Sequence, residues 1–253
     1  KYFQRQLYRT VLNYSVSRAN TIITVSDTIK RELNSIFPDA SVQCIYNGID
    51  VKMFDEVEKE RAVRYVQENG IPNDFLFAVG HYEERKNYSR LIDAIGLLND
   101  RGFSMPLVIA GNDSGQYKEL QHKVDKLGLQ SQIKLLRNLN DDKIRLLFKA
   151  CHLFIFPSSY EGFGIPLIEA MAAKKAFLSS NIPVFRELSE DEGCYFPFDD
   201  IEVMAEGINT LSVSDEEQQR LISYGQRRVL DFSFDKLSKE LISFYHDQTL
   251  SLE

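Results

Sequence analysis

Two glutamates, Glu161 and Glu169, stand eight residues apart around a run of small and apolar residues. Gly162 and Gly164 follow an apolar stretch typical of a strand and precede one typical of a helix. A loop of this kind offers backbone N–H groups and the positive end of a helix dipole to an anion. If the segment after Gly164 is helical, the two carboxylates lie on the order of 10 Å apart along the axis. A retaining glycosidase needs about 5 Å, so the spacing favours two acids that hold opposite ends of one extended ligand, with its phosphates between them.

The basic pair Arg85 and Lys86 forms a second group of candidate residues. It follows the apolar run 75–80 and precedes the next helix-like segment. Ligands of parallel sheets bind beyond the carboxyl ends of the strands, where this loop and the Glu161 loop both lie. Arginine can grip a phosphate with two N–H groups and lysine adds a point charge, so the pair suits the developing charge of a diphosphate leaving group. Taken alone, the pair also fits a solvated basic loop.

Glu169 differs from an ordinary helix acid in its neighbours. Most positions around it in the helix-like run are apolar, and an acid in such a run more often faces a polar ligand or a partner than a core. A ribose diol is a suitable ligand, because a carboxylate accepts two hydroxyl hydrogen bonds. Taken singly, Glu161 also fits a surface-loop acid and Glu169 an exposed helix position.

Short apolar runs alternate with segments of helical periodicity, which predicts an α/β fold with a parallel sheet covered by helices on both faces. Strands are predicted at residues 21–25, 42–46, 75–80, 107–111, 133–136, 153–156 and 176–179. Helices are predicted at residues 27–36, 57–68, 88–98, 116–126, 141–149 and 166–173. From residue 201 onward the pattern predicts helices only, at 201–211, 215–230 and 234–247.

Composition and charge disfavour several classes of protein. The 253 residues are 43% hydrophobic and 26% charged, as in an ordinary globular protein, and the net charge of -7 argues against a general nucleic-acid binder. No apolar run approaches the length of a membrane span. The three cysteines and four histidines lack metal-ligand spacing, so we expect free thiols in a reducing cytosol and no zinc site.

Other enzyme classes match the motifs less well. Gly162-Phe163-Gly164 half-matches the dinucleotide pattern G-x-G-x-x-G, but Leu167 occupies the third glycine position and the motif follows a late strand. A nicotinamide enzyme is therefore the weakest alternative. The sequence has no P-loop, and its serines lack the context of a nucleophile elbow.

The turn pair Asn47-Gly48 marks a predicted boundary. We expect residues 1–46 to be the end of a domain whose beginning precedes Lys1, residues 47–74 to be a linker, 75–230 to be the ligand-binding domain, and 231–253 to be a final helical segment. Residues 1–18 carry basic and apolar residues but no acid. This segment fits a basic face for an anionic membrane surface, or, with more weight, an ordinary amphipathic helix that packs on a sheet.

Taken together, these motifs resemble the carboxyl-terminal, donor-binding half of family 4 retaining glycosyltransferases of the GT-B fold. The overall sequence, particularly residues 180–187, is most similar to bacterial mannosyltransferases of surface-polysaccharide assembly. The resemblance covers roughly residues 20–240, and the spaced glutamates with the upstream Arg85-Lys86 loop are its most specific part. The matching segments are residues 22–26, 47–50, 79–80, 85–87, 91–94, 109–111, 158–172 and 180–187. The resemblance implies a Rossmann-like domain with a remnant of the acceptor domain before it and a crossover helix after it.

The resemblance also implies roles for particular residues. Arg85 and Lys86 would hold the donor diphosphate, and Glu161 would contact the transferred sugar, which makes these three the catalytic residues. Many family members have an arginine directly after the glycine, where this chain has His81, so Arg85 stands in for it. Glu169 would bind the ribose. The other donor-binding residues would be Gly80, Phe163, Gly164, Ile165 and, at the border of the base, Leu139.

The substrates are implied in the same way. The donor would be a nucleoside-diphosphate sugar, GDP-mannose first and a UDP-sugar second, and the acceptor a saccharide or a lipid-linked saccharide. No cofactor, metal or nucleic acid is expected, and the absence of an Asp-x-Asp motif fits a metal-independent reaction. We expect a cytoplasmic protein with peripheral contact to the inner face of the membrane through the rest of the acceptor domain. The alternative is a non-catalytic Rossmann-like module that binds a nucleotide or a partner, because we expect most of the acceptor domain to lie outside this sequence.

Overall fold

The computed structural model describes residues 2–250, and the side chains of residues 6–248, as two parallel sheets with helices around them. The smaller sheet pairs β1 (Ile22–Thr24) with β2 (Val42–Cys44). The larger has six strands in the order β5-β4-β3-β6-β7-β8. They are β3 (Leu76–Val79), β4 (Leu107–Ala110), β5 (Ile133–Leu136), β6 (Leu153–Phe156), β7 (Ala176–Ser180) and β8 (Cys194–Phe196).

The helices alternate with these strands. They are α1 (Tyr2–Arg18), α2 (Asp27–Ile36), α3 (Lys52–Asp55), α4 (Lys59–Glu68), α5 (Tyr88–Asp100), α6 (Tyr117–Lys126), α7 (Asp141–Ala150), α8 (Ile165–Ala172), α9 (Pro183–Leu188), α10 (Ile201–Val213), α11 (Asp215–Arg228) and α12 (Phe234–Leu250). Short 3-10 turns span Glu84–Lys86 and Val229–Phe232. Each predicted strand and helix is present, with both ends within three residues of the prediction.

The core lies on both faces of the larger sheet. No residue of β3, β4, β6 or β7 is exposed, as expected for parallel strands covered on both sides. On one face α5 packs against α6 and α10; on the other, α4 packs against α7, and α8 packs against α11. Phe148 of α7 contacts Phe77 and Phe154 with ring centroids 5.0 and 5.2 Å apart, so aromatic packing ties this helix to β3 and β6.

The strand order reverses between β3 and β6, which are hydrogen-bonded neighbours. In an open parallel sheet the crevice for a ligand forms at such a switch point, beyond the carboxyl ends of the two strands. Here these ends continue into the loops 80–87 and 157–164. The topology therefore brings the two predicted catalytic segments together.

The chain crosses between the small sheet and the larger one twice, and the two crossings are hydrogen-bonded to each other. Ile49 donates its N–H to the carbonyl of Phe232 at 2.8 Å, and Phe234 donates to the carbonyl of Ile49 at 3.2 Å. The helix α12 then runs back toward the first strand, where Thr21 donates a hydrogen bond to Gln248 at 3.3 Å.

Three elements were not predicted. The strand β8 has only three residues, and α9 and α3 have six and four, which is too short for periodicity to reveal them. The segment 47–74, predicted as a linker with a helix at 57–68, forms α3 and α4, and its Phe54, Val66 and Ile71 belong to the buried core of the larger sheet. The domain boundaries stay predictions.

The basic segment 1–18 forms α1, although Lys1 and the side chains of Tyr2, Phe3 and Arg5 lie outside the described residues. Five of its described apolar side chains are exposed, Leu7, Tyr8, Val11, Leu12 and Tyr14, while Val16 is half-buried. What covers this face stays a prediction. Within residues 2–250 no helix has the length and apolar character needed to cross a membrane.

The backbone after β3 and the backbone after β4 approach each other closely at Gly80 and Gly111, and this close approach gives a stability prediction. A Cβ on Gly111, just after β4, would lie 1.9 Å from the carbonyl oxygen of Gly80, just after β3. We expect Gly111→Ala to lower the free energy of unfolding by more than about 2 kcal/mol, because the backbone must move. Urea unfolding measures this change.

Gly96 in α5 is the matched control, because its Cβ would meet Leu127 and Leu129 at ordinary distances of 3.7 and 3.6 Å. Gly96→Ala should be stabilising by up to about 1 kcal/mol, since it removes a glycine from a helix. Equal stabilities of the two variants would contradict the close approach of β3 and β4.

Candidate donor-binding site

Gly80 directly follows β3, and its lack of a side chain leaves room for the Lys86 side chain. Its φ of +146° is unfavourable for other residues, and a Cβ there would lie 2.9 Å from Cε of Lys86. The 3-10 turn Glu84–Lys86 and the left-handed Asn87 (φ 59°) reverse the chain after this point. Lys86 therefore folds back over the strand ends, where its ammonium lies 5.0 Å from the ring centroid of Phe156.

Arg85, Lys86 and Glu161 form one ion-paired cluster. Nζ of Lys86 lies 2.7 Å from Oε1 of Glu161, and a guanidinium nitrogen of Arg85 lies 2.5 Å from Oε2. Ser158 also donates to Oε1 of Glu161 at 2.8 Å, and Glu83 pairs with Arg85 at 2.6 Å. The cluster joins the loop after β3 to the loop after β6, so the three predicted catalytic residues do come together.

Burial sets the electrostatics of this cluster. Lys86 is 6% exposed and Glu161 is 8% exposed, so their charges interact with little screening by solvent. Partial burial lowers the pKa of the Arg85 guanidinium, but the carboxylates of Glu161 and Glu83 outweigh this effect and the net shift is upward. The Arg85 guanidinium therefore stays charged, and its exposed edge is available to an anion.

The loop between Glu161 and α8 presents unpaired backbone donors. Within residues 6–248, no acceptor takes the N–H of Phe163, Gly164 or Ile165. Gly164 adopts φ +123°, and a Cβ there would lie 2.9 Å from the ring of Phe185, so glycine is required. Three donors at the start of a helix, next to two cations, form a favourable site for a phosphate.

Apolar contacts of the Phe163 side chain hold the loop between Glu161 and α8 in place. The Phe163 side chain is buried between the rings of Tyr46 and Phe232, at centroid distances of 5.8 and 5.9 Å. Phe163 can therefore take part in binding through its backbone, while the exposed side chain of Ile165 faces solvent.

Glu169 lies one turn into α8 and is half-buried, with no hydrogen bond or ion pair to its carboxylate among the described residues. Burial, and then the nearby Asp141, raise its pKa to about 7, although Arg145 acts in the opposite direction. A half-buried acid without a partner at the edge of a cleft is a candidate for ligand binding. Asp141 begins α7, two residues after Leu139, so Glu169 faces the loop that follows β5.

The loops after β3, β4 and β5 are linked to one another. The Tyr82 hydroxyl donates to the carbonyl of Leu136 at 2.7 Å, and the left-handed Asn138 donates its N–H to the Asn112 side chain at 3.2 Å. In the same loop the Arg137 guanidinium lies 3.9 Å from the ring centroid of Tyr117. These bonds define the surface on which the predicted base-binding residue Leu139 lies.

Sequence reasoning missed several residues of the site. Ser158 stands three residues before Glu161, and Glu83 two before Arg85, but neither spacing is diagnostic alone. Tyr88 packs behind Gly80 with 1% exposure, and its hydroxyl has no partner among the described residues. His81 stays outside the cluster, with its ring nitrogen 3.5 Å from the Ser114 hydroxyl.

The described residues also bring three possible metal ligands together, Asp27, Cys44 and Glu187. Burial, followed by the charges of Asp27 and Glu187, raises the pKa of Cys44 to about 12, so the thiol stays protonated. Both oxygens of Glu187 already accept hydrogen bonds from α2. A metal-independent reaction stays a prediction.

Comparison with known proteins identifies the family. The model of the family described as glycosyl transferases group 1 matches residues 63–228, and the chain belongs to this family. It is 29% identical over 233 residues to an uncharacterized glycosyltransferase of Methanocaldococcus jannaschii, covering 88% of this chain and 59% of the relative. It is 27% identical to the O-antigen chain mannosyltransferase RfbU of Salmonella typhimurium, covering 94% of this chain and 63% of the relative.

Solved structures of glycosyltransferases share the fold of this chain. The structure of HepE from Anabaena in complex with UDP and glucose matches with a TM-score of 0.82 at 22% identity, over 94% of this chain and 66% of that one. The predicted resemblance to glycosyltransferases of the bacterial mannosyltransferase type and the α/β parallel-sheet fold are confirmed. The chain spans about three fifths of the length of the two curated relatives.

The raised pKa of Glu169 predicts a pH-dependent stability. Between about pH 4.5 and pH 7 the folded protein holds more protons than the unfolded chain, so this stabilising contribution is lost as the pH rises through 7. Glutamine cannot ionise. Glu169→Gln should therefore nearly match the wild type near pH 4.5 and exceed it by roughly 3 kcal/mol at pH 8.

Urea unfolding at both pH values measures this difference, with Glu240→Gln, at an exposed acid of α12, as the control. The control should differ from the wild type by the same amount at both pH values. A Glu169→Gln difference that is independent of pH would show that this carboxyl titrates normally.

Proposed function

We propose that the chain binds a nucleoside-diphosphate sugar at the β3–β6 switch point, and that the protein transfers the sugar to a saccharide or lipid-linked acceptor with retention of configuration. The observation that carries the proposal is the ion-paired Arg85–Lys86–Glu161 cluster beside three unpaired N–H groups. Together these groups offer two cations and a row of donors to one dianionic ligand.

The diphosphate binds along the outer edge of this cluster. Arg85 and Lys86 contact its oxygens from the β3 side, and the N–H groups of residues 163–165 contact them from the β6 side. Glu161 stays hydrogen-bonded to the two cations and turns its remaining acceptor capacity to hydroxyl groups of the sugar. This carboxylate is a positioning acid and not a nucleophile, because both of its oxygens are engaged by cations.

Transfer follows from the same geometry. The bond between the anomeric carbon and the phosphate oxygen breaks, and the two electrons stay on the diphosphate, whose added charge Arg85, Lys86 and the start of α8 stabilise. The acceptor hydroxyl forms the new bond on the face that the phosphate leaves. Its proton passes to the departing phosphate oxygen, so the configuration is retained without an ion or a cofactor.

The other end of the donor lies toward α7. Glu169 accepts hydrogen bonds from the ribose hydroxyls, and the base lies against the loop that holds Leu139. The mannosyltransferase name of RfbU supports mannose as the sugar, and therefore GDP-mannose as the first donor. The UDP and glucose in HepE support a UDP-sugar as the second.

The acceptor and the place of the reaction are proposed from the same relatives. The O-antigen name of RfbU supports a growing surface polysaccharide as the acceptor. We infer a cytoplasmic enzyme that meets a lipid-linked saccharide at the inner face of the membrane.

The binding of nucleotides tests this proposal directly. Calorimetry with GDP, UDP and ADP should give one preferred nucleotide, and Lys86→Ala should weaken its binding about 10- to 100-fold, because a charged hydrogen bond to phosphate is lost. Lys123→Ala is the matched control, since Lys123 is also ion-paired, with Asp93 at 2.6 Å, but lies on α6. Its affinity should stay that of the wild type.

The contradicting outcomes are specific. If the wild type binds none of the three nucleotides, the proposal is wrong. Equal losses in Lys86→Ala and Lys123→Ala would show that Lys86 does not contact the phosphate. Binding of GDP-mannose without turnover, by this chain and by a longer form that carries a complete acceptor domain, would favour the non-catalytic module.

A further inference from the structure

The amino-terminal end of α2 is capped twice, once by its own residue and once from a distant element. Ser26 accepts a hydrogen bond from the N–H of Ile29 at 3.2 Å, as an ordinary N-cap residue does. Glu187 of α9 accepts from the N–H of Asp27 and of Thr28, both at 2.7 Å, and from the Thr28 hydroxyl at 2.6 Å. A carboxylate with three donors at a positive helix end is a strong anchor, so α2 is fixed to the sheet domain at this point.

The anchored unit contacts the donor-site loop at three positions. The Ser26 hydroxyl donates to the carbonyl of Gly162 at 2.8 Å. The Tyr160 hydroxyl donates to Glu32 of α2 at 2.9 Å, and the ring of Tyr46, after β2, packs on Phe163. Residues before position 47 therefore hold the loop on both sides of Gly162.

The hydrogen bond to Gly162 matters because packing does not hold the loop there. A Cβ on Gly162 would meet no atom within 4 Å, so the loop has open space beside this residue. Ser26 is fully buried and already engaged as a cap, so its hydroxyl hydrogen is committed to the Gly162 carbonyl. Ser214, which caps α11 through Glu217 at 3.4 Å, makes no such contact with a loop.

Gly162 connects the two halves of the proposed donor site. Glu161 precedes it, and the unpaired N–H groups of Phe163, Gly164 and Ile165 follow it. A rotation of the Gly162 peptide would move the carboxylate and these donors relative to each other. Misplacement of a reacting group by about 1 Å can lower a rate 100-fold, so control of this peptide affects chemistry as well as stability.

We propose that Ser26 and Glu187 are positioning residues for the transfer reaction: Glu187 anchors α2, and α2, through Ser26, fixes the Gly162 peptide and with it the relation between Glu161 and the phosphate-binding N–H groups. This inference rests on the proposed function. It assigns to the segment before residue 47 a direct effect on the donor site, besides any part in binding the acceptor.

The first test observes the Gly162 peptide itself, without a ligand. Labelling the full chain with carbonyl-13C glycine and 15N phenylalanine leaves two Gly-Phe peptides visible by NMR, Gly162-Phe163 and Gly102-Phe103. In Ser26→Ala and in Glu187→Gln the Gly162-Phe163 signal should shift or broaden while the Gly102-Phe103 signal stays in place. In Ser214→Ala, which also removes a helix cap, both signals should stay in place.

The second test measures binding. We expect Ser26→Ala to lower the ratio of GDP-mannose affinity to GDP affinity about fivefold, because the sugar depends on Glu161 and GDP alone does not. Ser26→Thr keeps the hydroxyl and should restore the wild-type ratio. Ser214→Ala should leave the ratio unchanged, although it also removes a helix cap.

The outcomes separate the two proposals. An unmoved Gly162-Phe163 signal in Ser26→Ala, or the same fall of the ratio in Ser214→Ala, overturns the positioning role while donor binding by the wild type stands. If the wild type binds none of GDP, UDP and ADP, the proposed function fails and the positioning role in transfer fails with it, whatever the NMR signals show about the contact itself.

Discussion

The buried ion pair between Lys86 and Glu161 is the interaction on which the rest of the site depends. Each charge is costly to remove from water, and a buried pair is tolerated only when the geometry is good and the remaining lone pairs are satisfied. Here Arg85 donates to Oε2 of Glu161, and Ser158 donates to Oε1 together with Lys86. The pair also bridges the two loops at the switch point, so the charges that the proposed donor would contact are assembled and partly buried without a ligand.

The fold supplies this arrangement with few special residues. Parallel strands place their carboxyl ends at one edge, and the reversal of strand order between β3 and β6 leaves a gap between the helices on the two faces. Glycine is needed where Lys86 crosses Gly80 and where α8 starts against Phe185. Apart from Glu169 on α8, the rest of the site consists of side chains at loop positions, and a solved structure only 22% identical has the same fold.

The sequence allowed most of the sheet domain and the convergence of Arg85, Lys86 and Glu161 to be predicted, because strand periodicity and the edge rule for parallel sheets need only local patterns. It did not reveal β8 or α9, which are too short to show a period. Nor could it reveal that Ser26 reaches Gly162 or that Glu187 reaches α2, since these partners are 136 and about 160 positions apart and no local rule relates them. The apolar neighbours of Glu169 marked it as a candidate ligand residue, but its raised pKa depends first on burial and then on Asp141, a residue of another helix.

The two chain crossings between the sheets are hydrogen-bonded to each other at Ile49 and Ser233, and this limits how they can move. Two unconnected segments that pass between the small sheet and the larger one could each twist independently. Because hydrogen bonds of the Ile49 N–H and carbonyl tie the two segments together, we expect them to move as one unit. The end of α2 is a separate point of attachment between the two sheets, through Ser26 to Gly162 and through Glu187 to Asp27.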